Sequence, residues 1–517
     1  MRRHAGIALA LVLLLAAIIP ADAAPPRDTI VIGLVAEPVT MDPPQITDLN
    51  STRVAKRIFE GLVAQELGSY KLVPGLARSW DISKDGLTYT FHLRPDVKFH
   101  DGTPLTAEAV RFVFERQLNE QSPYYKTGLY PYVKGFLGNV ASVEVIDPRT
   151  VQIRLKAPLT PFIQYLAHHS LYVYSPESLK KWGKDVVKHP VGTGPFKLET
   201  WEPGVKLVLS RNDQYWGGLP KIRQAVYVPI TEAQARLTSI MTGEIDLTLD
   251  VPPDALDGLR RDPNIVVAEA DSSAVWYVVL NTRHPALKDK RVRQALNFAV
   301  NKEAILRDIL RGTAIVATSP LSPVYGAFHE PNTSRYPFNP ERAKTLLREA
   351  GYPNGLELTF LVPESGSGMQ SPVEMATVIQ ANLTAVGVKA KIQTMEWGAY
   401  LKKYLDGPDM AEMSWNPSIG DPDHMMYMLL SSDRFPPAFN AGFYQNARVD
   451  ELLRKARTTL EESQRVAMYR EAQRLVTEDA PWIIVDHGKQ VIVHRTRVQN
   501  FKLHPNFDLV LTPVELR

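Results

Sequence analysis

Hydrophobic residues alternate with polar ones from Leu87 through Tyr89, Phe91 and Leu93. A period of two predicts a strand with one buried face. Pro95 ends it, because proline has no N–H for the ladder, and Asp101-Gly102 is a turn signal. Thr106 can then cap a helix whose Val110, Val113 and Phe114 share one face. Further on, Val143 and Val145 lead through Asp147-Pro148-Arg149 to Val151, Ile153 and Leu155, which predicts a hairpin. Phe196 and Leu198, then Glu202-Pro203-Gly204, then Val205, Leu207 and Leu209 predict a second.

The second half of the chain changes period. Asn339 is placed to cap a helix with Pro340 at its first position; Ala343, Leu346, Leu347 and Ala350 line one face, and Gly351 ends it. Ser371 to Glu374 has the spacing of a capping box, followed by Met375, Val378, Ile379 and Val386 on one face and a stop at Gly387. Val388, Ala390 and Ile392 alternate as a strand, and helical patterns over 448–459 and 462–479 precede an apolar strand from Trp482 to Val485. Alternating strands and helices throughout predict an α/β chain with mixed sheets. Low complexity outside the N-terminus is confined to the loop Glu364-Ser365-Gly366-Ser367-Gly368, and no fixed-period repeat is present.

The N-terminus has the pattern of a secretory signal. Arg2 and Arg3 precede an apolar run of 13 residues, Ile7 to Ile19, and Ala21-Asp22-Ala23 is a cleavage site. That run is short of the roughly 20 residues a membrane span requires, so cleavage near Ala23 and a soluble periplasmic product are expected. The 517 residues contain no cysteine, which excludes disulfides, thiolate metal sites, a cysteine nucleophile and a lipid-modified cysteine. Cleavage would leave 494 residues, too many for one ordinary core. The formal charge of +3 is spread without a basic cluster, which argues against nucleic acid as a partner.

Motifs for chemistry are missing. There is no G-x-S-x-G elbow, P-loop or H-E-x-x-H. Adjacent His168 and His169 cannot act as an i, i+4 ligand pair, and a satisfied or solvated pair is expected. Asp421-Pro422-Asp423-His424 resembles a hard-metal cluster only superficially, and Gly192-Thr193-Gly194-Pro195 lacks the spacing of a dinucleotide loop. No cofactor, bound metal or catalytic residue is expected.

The order of these features is similar to the extracellular solute-binding proteins of peptide-type ABC importers (family 5, dipeptide/oligopeptide/nickel-binding type). The resemblance rests on Ala36-Glu37-Pro38-Val39-Thr40-Met41-Asp42-Pro43, on Arg57-Ile58-Phe59-Glu60-Gly61-Leu62, on the block 73–116, and on Val191 to Phe196 with Tyr215-Trp216. It continues through Gly243-Glu244-Ile245-Asp246, Asn281-Thr282, Arg291 to Leu296, the helix from Asn339 and Glu396-Trp397. It implies a two-lobed, type II periplasmic binding protein of the large three-domain subclass, with a hinge. The expected division is a signal peptide at 1–23, lobe 1 at 24–66, 191–275 and 486–517, an extra domain at 67–190 and lobe 2 at 276–485. It also implies a monomer that hands its ligand to an ABC permease with cytoplasmic ATPases, by binding and release alone.

Two segments correspond to the edges that pair with an extended ligand in such proteins: Glu37-Pro38-Val39, and Ser414 through Trp415, Asn416 and Pro417 to Ser418. Trp276, Trp397, Tyr400 and Trp415 are the candidate aromatic wall. Many peptide-binding members carry an aspartate three residues after that tryptophan, to pair with the peptide's amine. Here the position is Ser418, and Asp421 lies three residues further on. Residues 364–370 also lack the arginine that dipeptide binders place there. A buried ammonium without a counter-charge costs several kcal/mol, which disfavours a free dipeptide relative to a longer or modified peptide, or a sugar-like or other organic solute. A nickel chelate, a periplasmic hydrolase on the same scaffold, and a chemoreceptor-docking or chaperone role stand as competing readings.

Overall fold

The computed structural model describes residues 28–517 except Lys126, Ser334 and Ser367. The signal segment and the cleavage site at Ala23 lie outside the described residues. Among the described residues no helix is long and apolar enough to cross a membrane.

One strand organises the molecule. Trp482–Arg495 runs for 14 residues and is almost wholly buried. Its first half pairs antiparallel with Val275–Leu280 and with Ala314–Val316. Its second half pairs with Ile265–Asp271 and Leu247–Leu249. The sequence pattern predicts a strand that stops at Val485; instead it continues. Asp486-His487-Gly488-Lys489-Gln490 looks like a polar break, yet it is where the strand passes from one half-sheet to the other. Residues 272–274 make the second passage, between Ile265–Asp271 and Val275–Leu280.

In one half-sheet, Thr29–Leu34 lies parallel to Gln224–Pro229 and Leu247–Leu249, with the hairpin Phe196–Glu202 and Lys206–Arg211 at its edge. In the other, Val275–Leu280 pairs antiparallel with Met410–Trp415, which joins the parallel pair Leu356–Pro363 and Val388–Met395. Ile30, Ile32, Val278, Leu280 and Phe360 are buried, as expected for strands covered by helices on both faces. A separate four-stranded antiparallel sheet comprises Ala77–Ile82, Thr88–Leu93, Thr150–Leu155 and Val140–Asp147, in that order. Helix Ala107–Leu118 packs on it through Val110, Val113 and Phe114, and Thr106 caps the helix by accepting from Ala109 N at 3.2 Å.

Most local expectations hold at the residue level. Asn339 accepts from Arg342 N at 2.9 Å and starts helix Pro340–Glu349; helices Ala447–Thr458 and Glu462–Asp479 fall where their patterns put them. Three details differ. Leu87 lies in the turn before its strand, held by its N–H donating to Asp85 at 3.0 Å. Val205 is exposed at the tip of the second hairpin. Ser371 forms no cap: its backbone is left-handed, φ 45°, and its hydroxyl accepts no bond from the first turn of helix Pro372–Thr384. The sequence spacing of a capping box does not ensure the extended backbone that the cap requires.

Gly192 and Gly194 are explained by close packing. A Cβ on Gly192 would lie 2.0 Å from the Ile58 carbonyl oxygen, and Gly194 N donates to that same oxygen at 2.9 Å. Between them Thr193 donates to Glu60, which also accepts from Tyr215 and Trp216. Three segments distant in sequence thus meet at one carboxylate.

The chain's C-terminal return is tied by charge. Asp508 accepts from Arg57 at 2.7 Å and from Lys56 at 3.3 Å, all nearly buried. Burial alone would raise the Asp508 carboxyl, but Arg57 and Lys56 more than reverse this and bring it to about 2. Asp508→Asn leaves two buried cations without a counter-charge and is expected to cost about 3–5 kcal/mol at pH 7 in denaturant unfolding. A folded pKa below the unfolded one stabilises above about pH 4 and is lost as pH falls through about 2, so the difference between variant and parent should shrink over that interval. A loss under 1 kcal/mol at pH 7 would contradict this.

Candidate ligand-binding cleft

A cavity of about 500 Å³ lies among three parts of the chain. Val39 and Leu49 come from the N-terminal segment, Tyr132 and His169 from the region of the four-stranded sheet, and Trp397 and Trp415 from the second half-sheet. Helix Leu49–Ile58 begins at the wall because Asp48 caps it, accepting from Ser51 N at 2.9 Å; burial raises the Asp48 carboxyl. Lys402 is the lining cation, and it is exposed at the rim.

Of the predicted site residues, Val39, Trp397, Trp415, Asn416 and Ser418, with Ser414, line this cavity together. Trp415 donates its indole N–H to His424 O at 3.2 Å and meets Phe439 edge-on at 5.0 Å between ring centroids. Glu37 and Pro38 line a separate, much smaller pocket, where Glu37 accepts from Trp201 Nε1 at 2.6 Å and Gly204 N at 3.1 Å. Tyr400 is fully buried behind Trp397, stacked at 5.6 Å, and donates to Glu412 O. Trp276 lines a nook of about 30 Å³ with Asp250, Gln370, Asp486 and Ser414, the last of which also lines the main cavity. The Pro417 carbonyl accepts from Tyr70 at 2.9 Å. Asp421 is held by Arg465 through two bonds at 2.8 and 2.9 Å, and Asp423 by Arg457 and Tyr165. Among the described residues no group of three metal-ligating side chains converges.

Sequence reasoning missed Tyr132, His169, His424 and Phe439. His168 and His169 are neither solvated nor satisfied: both are buried, with ring centroids 3.9 Å apart, and His168 lies 4.9 Å from His424. His168 Nε2, His169 Nδ1 and His424 Nε2 have no partner. Each second nitrogen fixes the proton. His169 Nε2 faces the Ile46 carbonyl at 3.1 Å and must donate, which leaves Nδ1 as an acceptor. His424 Nδ1 accepts from Ser418 N at 3.2 Å, which leaves Nε2–H as a donor. Trp397 Nε1 is a further unpartnered donor. These nitrogens are enclosed within the aromatic packing behind the wall.

Segment 416–418 is also tied to segments distant in sequence. Gln65 and Asn506 donate to Ser418 O at 2.9 and 3.3 Å, Tyr70 donates to Pro417 O, and Asn416 donates to Asn506 O at 2.8 Å.

Two half-sheets joined by one continuous strand, with an aromatic cavity beside the second, fit the two-lobed solute receptors. The chain matches the bacterial extracellular solute-binding proteins, family 5 (middle region), over residues 71–437. It is 32% identical over 498 residues to the glutathione-binding protein GsiB of Salmonella typhimurium, covering 94% of each chain. Its fold is similar to the periplasmic binding protein DppA of Helicobacter pylori in complex with the peptide STSA, with TM-score 0.89, 32% identity, and 94% and 98% of the two chains covered. It is also similar to the dipeptide binding protein of Pseudoalteromonas sp. SM9913 in complex with Met-Leu, with TM-score 0.87, 27% identity, and coverage of 95% and 100%. This chain belongs to family 5 of the bacterial extracellular solute-binding proteins.

Burial depresses His169 and His424 to about 3, and lowers His168 further from its ordinary value. A depressed histidine is neutral in the fold and protonates first in the unfolded chain. Stability is therefore present above about pH 6.5 and lost as pH falls toward 3, by up to about 1.4 kcal/mol per pH unit per histidine. Asp486, raised by burial to about 8, contributes with the opposite sign, gaining as pH falls through 8. Comparing slopes separates them: His169→Asn should flatten the fall in urea midpoint between pH 6.5 and 4.5. An unchanged slope would mean that His169 is not held neutral.

Proposed function

We propose that this protein is a periplasmic receptor that captures a short peptide or peptide-like solute between two closing lobes and presents it to an ABC permease, without turnover. Lobe 1 is assigned to 24–66, 191–275 and 486–517, lobe 2 to 276–485, and the extra domain to 67–190; a signal peptide cleaved near Ala23 delivers the chain. The observation that carries the ligand class is the lining of the cavity, in which hydroxyl and amide side chains stand among aromatic rings. Hydroxyl and amide side chains at Thr40, Gln45, Thr52, Ser414 and Asn416 suit the C=O and N–H groups of amides. The names of the relatives, which bind glutathione and peptides, support the same class.

Ser418 narrows the ligand further. With serine where the amine-pairing carboxylate would stand, and Asp421 engaged by Arg465, a free dipeptide amine lacks a counter-charge at that position. Longer, γ-linked or N-blocked peptides avoid that cost. The bonds from Gln65, Tyr70 and Asn506 to segment 416–418 are those that opening would break, and a ligand filling the cavity favours the closed state.

Mass spectrometry of small molecules released on denaturation, followed by calorimetry with the peptide identified, tests this. Short peptide masses are expected. Trp415→Ala should weaken binding by at least tenfold, and Ser418→Asp should improve binding of a free-amine dipeptide such as Met-Leu. A single non-peptide mass would overturn the ligand class, and cleavage products would favour the hydrolase.

A further inference from the structure

A second cavity of about 370 Å³ lies on the second half-sheet, and no residue lines both it and the main cleft. Trp482, Ile484, Val316 and Val476 give it apolar walls. Lys302 opens into it. This residue is 7% exposed, follows the capping residue Asn301, and has neither an ion-pair nor a hydrogen-bond partner among the described residues. Arg335 lines the same cavity from an exposed position, and Glu303 is the acid that lines it.

An ammonium so placed is a physical anomaly. Buried lysines are ordinarily paired, because taking a charge out of water without a partner costs several kcal/mol. Asp423 with Arg457, and Asp508 with Arg57 and Lys56, follow that rule elsewhere in this fold. Burial brings Lys302 down to about 8, with Glu303 alone opposing. The missing counter-charge has room to come from outside, since the cavity adjoins the amine.

We propose that this cavity is a second binding site, distinct from the cleft, for a small organic monoanion: one carboxylate received by Lys302 with Arg335 at the entrance, and an apolar body against Trp482 and Ile484. Two cations against one acid leave a single net positive charge, which matches a monocarboxylate better than a dianionic phosphate ester. Trp482 stacks on Tyr277 at 4.0 Å, and Tyr277 lines the cleft, so the two sites share a wall.

Calorimetry on the protein from residue 24 onward uses sodium benzoate as probe, benzamide as its neutral counterpart, and chloride at equal ionic strength as control. Saturable benzoate binding is expected, with benzamide at least tenfold weaker. Lys302→Met should reduce benzoate binding at least tenfold while leaving the melting temperature equal or higher, because it removes an unpaired buried charge. Arg335→Ala, at an exposed position, should weaken binding several-fold and decides the matter if the first variant does not fold. Trp415→Ala, in the cleft, should leave benzoate binding intact whatever it does to peptides. Absence of saturable binding, equal binding of benzamide, indifference to both cation variants, or loss in Trp415→Ala would each overturn the second site.

Discussion

The continuous strand Trp482–Arg495 is the constraint on which the architecture depends. Its backbone must complete hydrogen bonds with Val275–Leu280 at one end and Ile265–Asp271 at the other. Both half-sheets are thereby fixed to one ladder, and the chain passes between them at 272–274 and 486–490. These are also where polar side chains are buried with few partners: Asp486, His487 and Gln490 each have an unpartnered atom there. A polar segment in the middle of an apolar strand lowers local stability at the passage between the half-sheets.

Several buried charges in the fold are paired. Arg116 with Asp42, Arg465 with Asp421, Arg457 with Asp423 and Arg57 with Asp508 all join segments distant in sequence. The cleft departs from this habit. Its lining combines aromatic side chains with hydroxyl and amide groups, and its histidines are held neutral by burial. Neutral groups can wait unpartnered at a cost of about 1–3 kcal/mol each, far less than isolated ions. A receptor that must bind and then release is well served by such modest terms.

Much of this was legible along the chain. The caps at Thr106 and Asn339, the strand at 88–93 and both hairpins follow from local pattern, because each depends on residues within a few positions. Ser371 shows where this fails: its spacing is right, but the preceding loop sets a left-handed backbone that spacing cannot report. In the cleft, Trp397, Trp415 and Ser418 were within reach of motif order. Tyr132, His169 and Phe439 were not, since their convergence results from packing between segments hundreds of residues apart. His168 and His169 look like an unremarkable polar pair until Phe136, Tyr132 and His424 are packed around them.

The sequence by itself determined the α/β class, the run of elements, the absence of thiol chemistry and the place of this chain among solute-binding proteins, because these rest on periodicity and on the order of motifs. Only the tertiary structure decided which candidates share a surface. It turned Glu37 toward Trp201, enclosed Tyr400, committed Asp421 to Arg465, and left Lys302 without a counter-charge. The reason is that a side chain's chemistry comes from its residue type, whereas its availability depends on which distant groups have already claimed its hydrogen bonds and its charge.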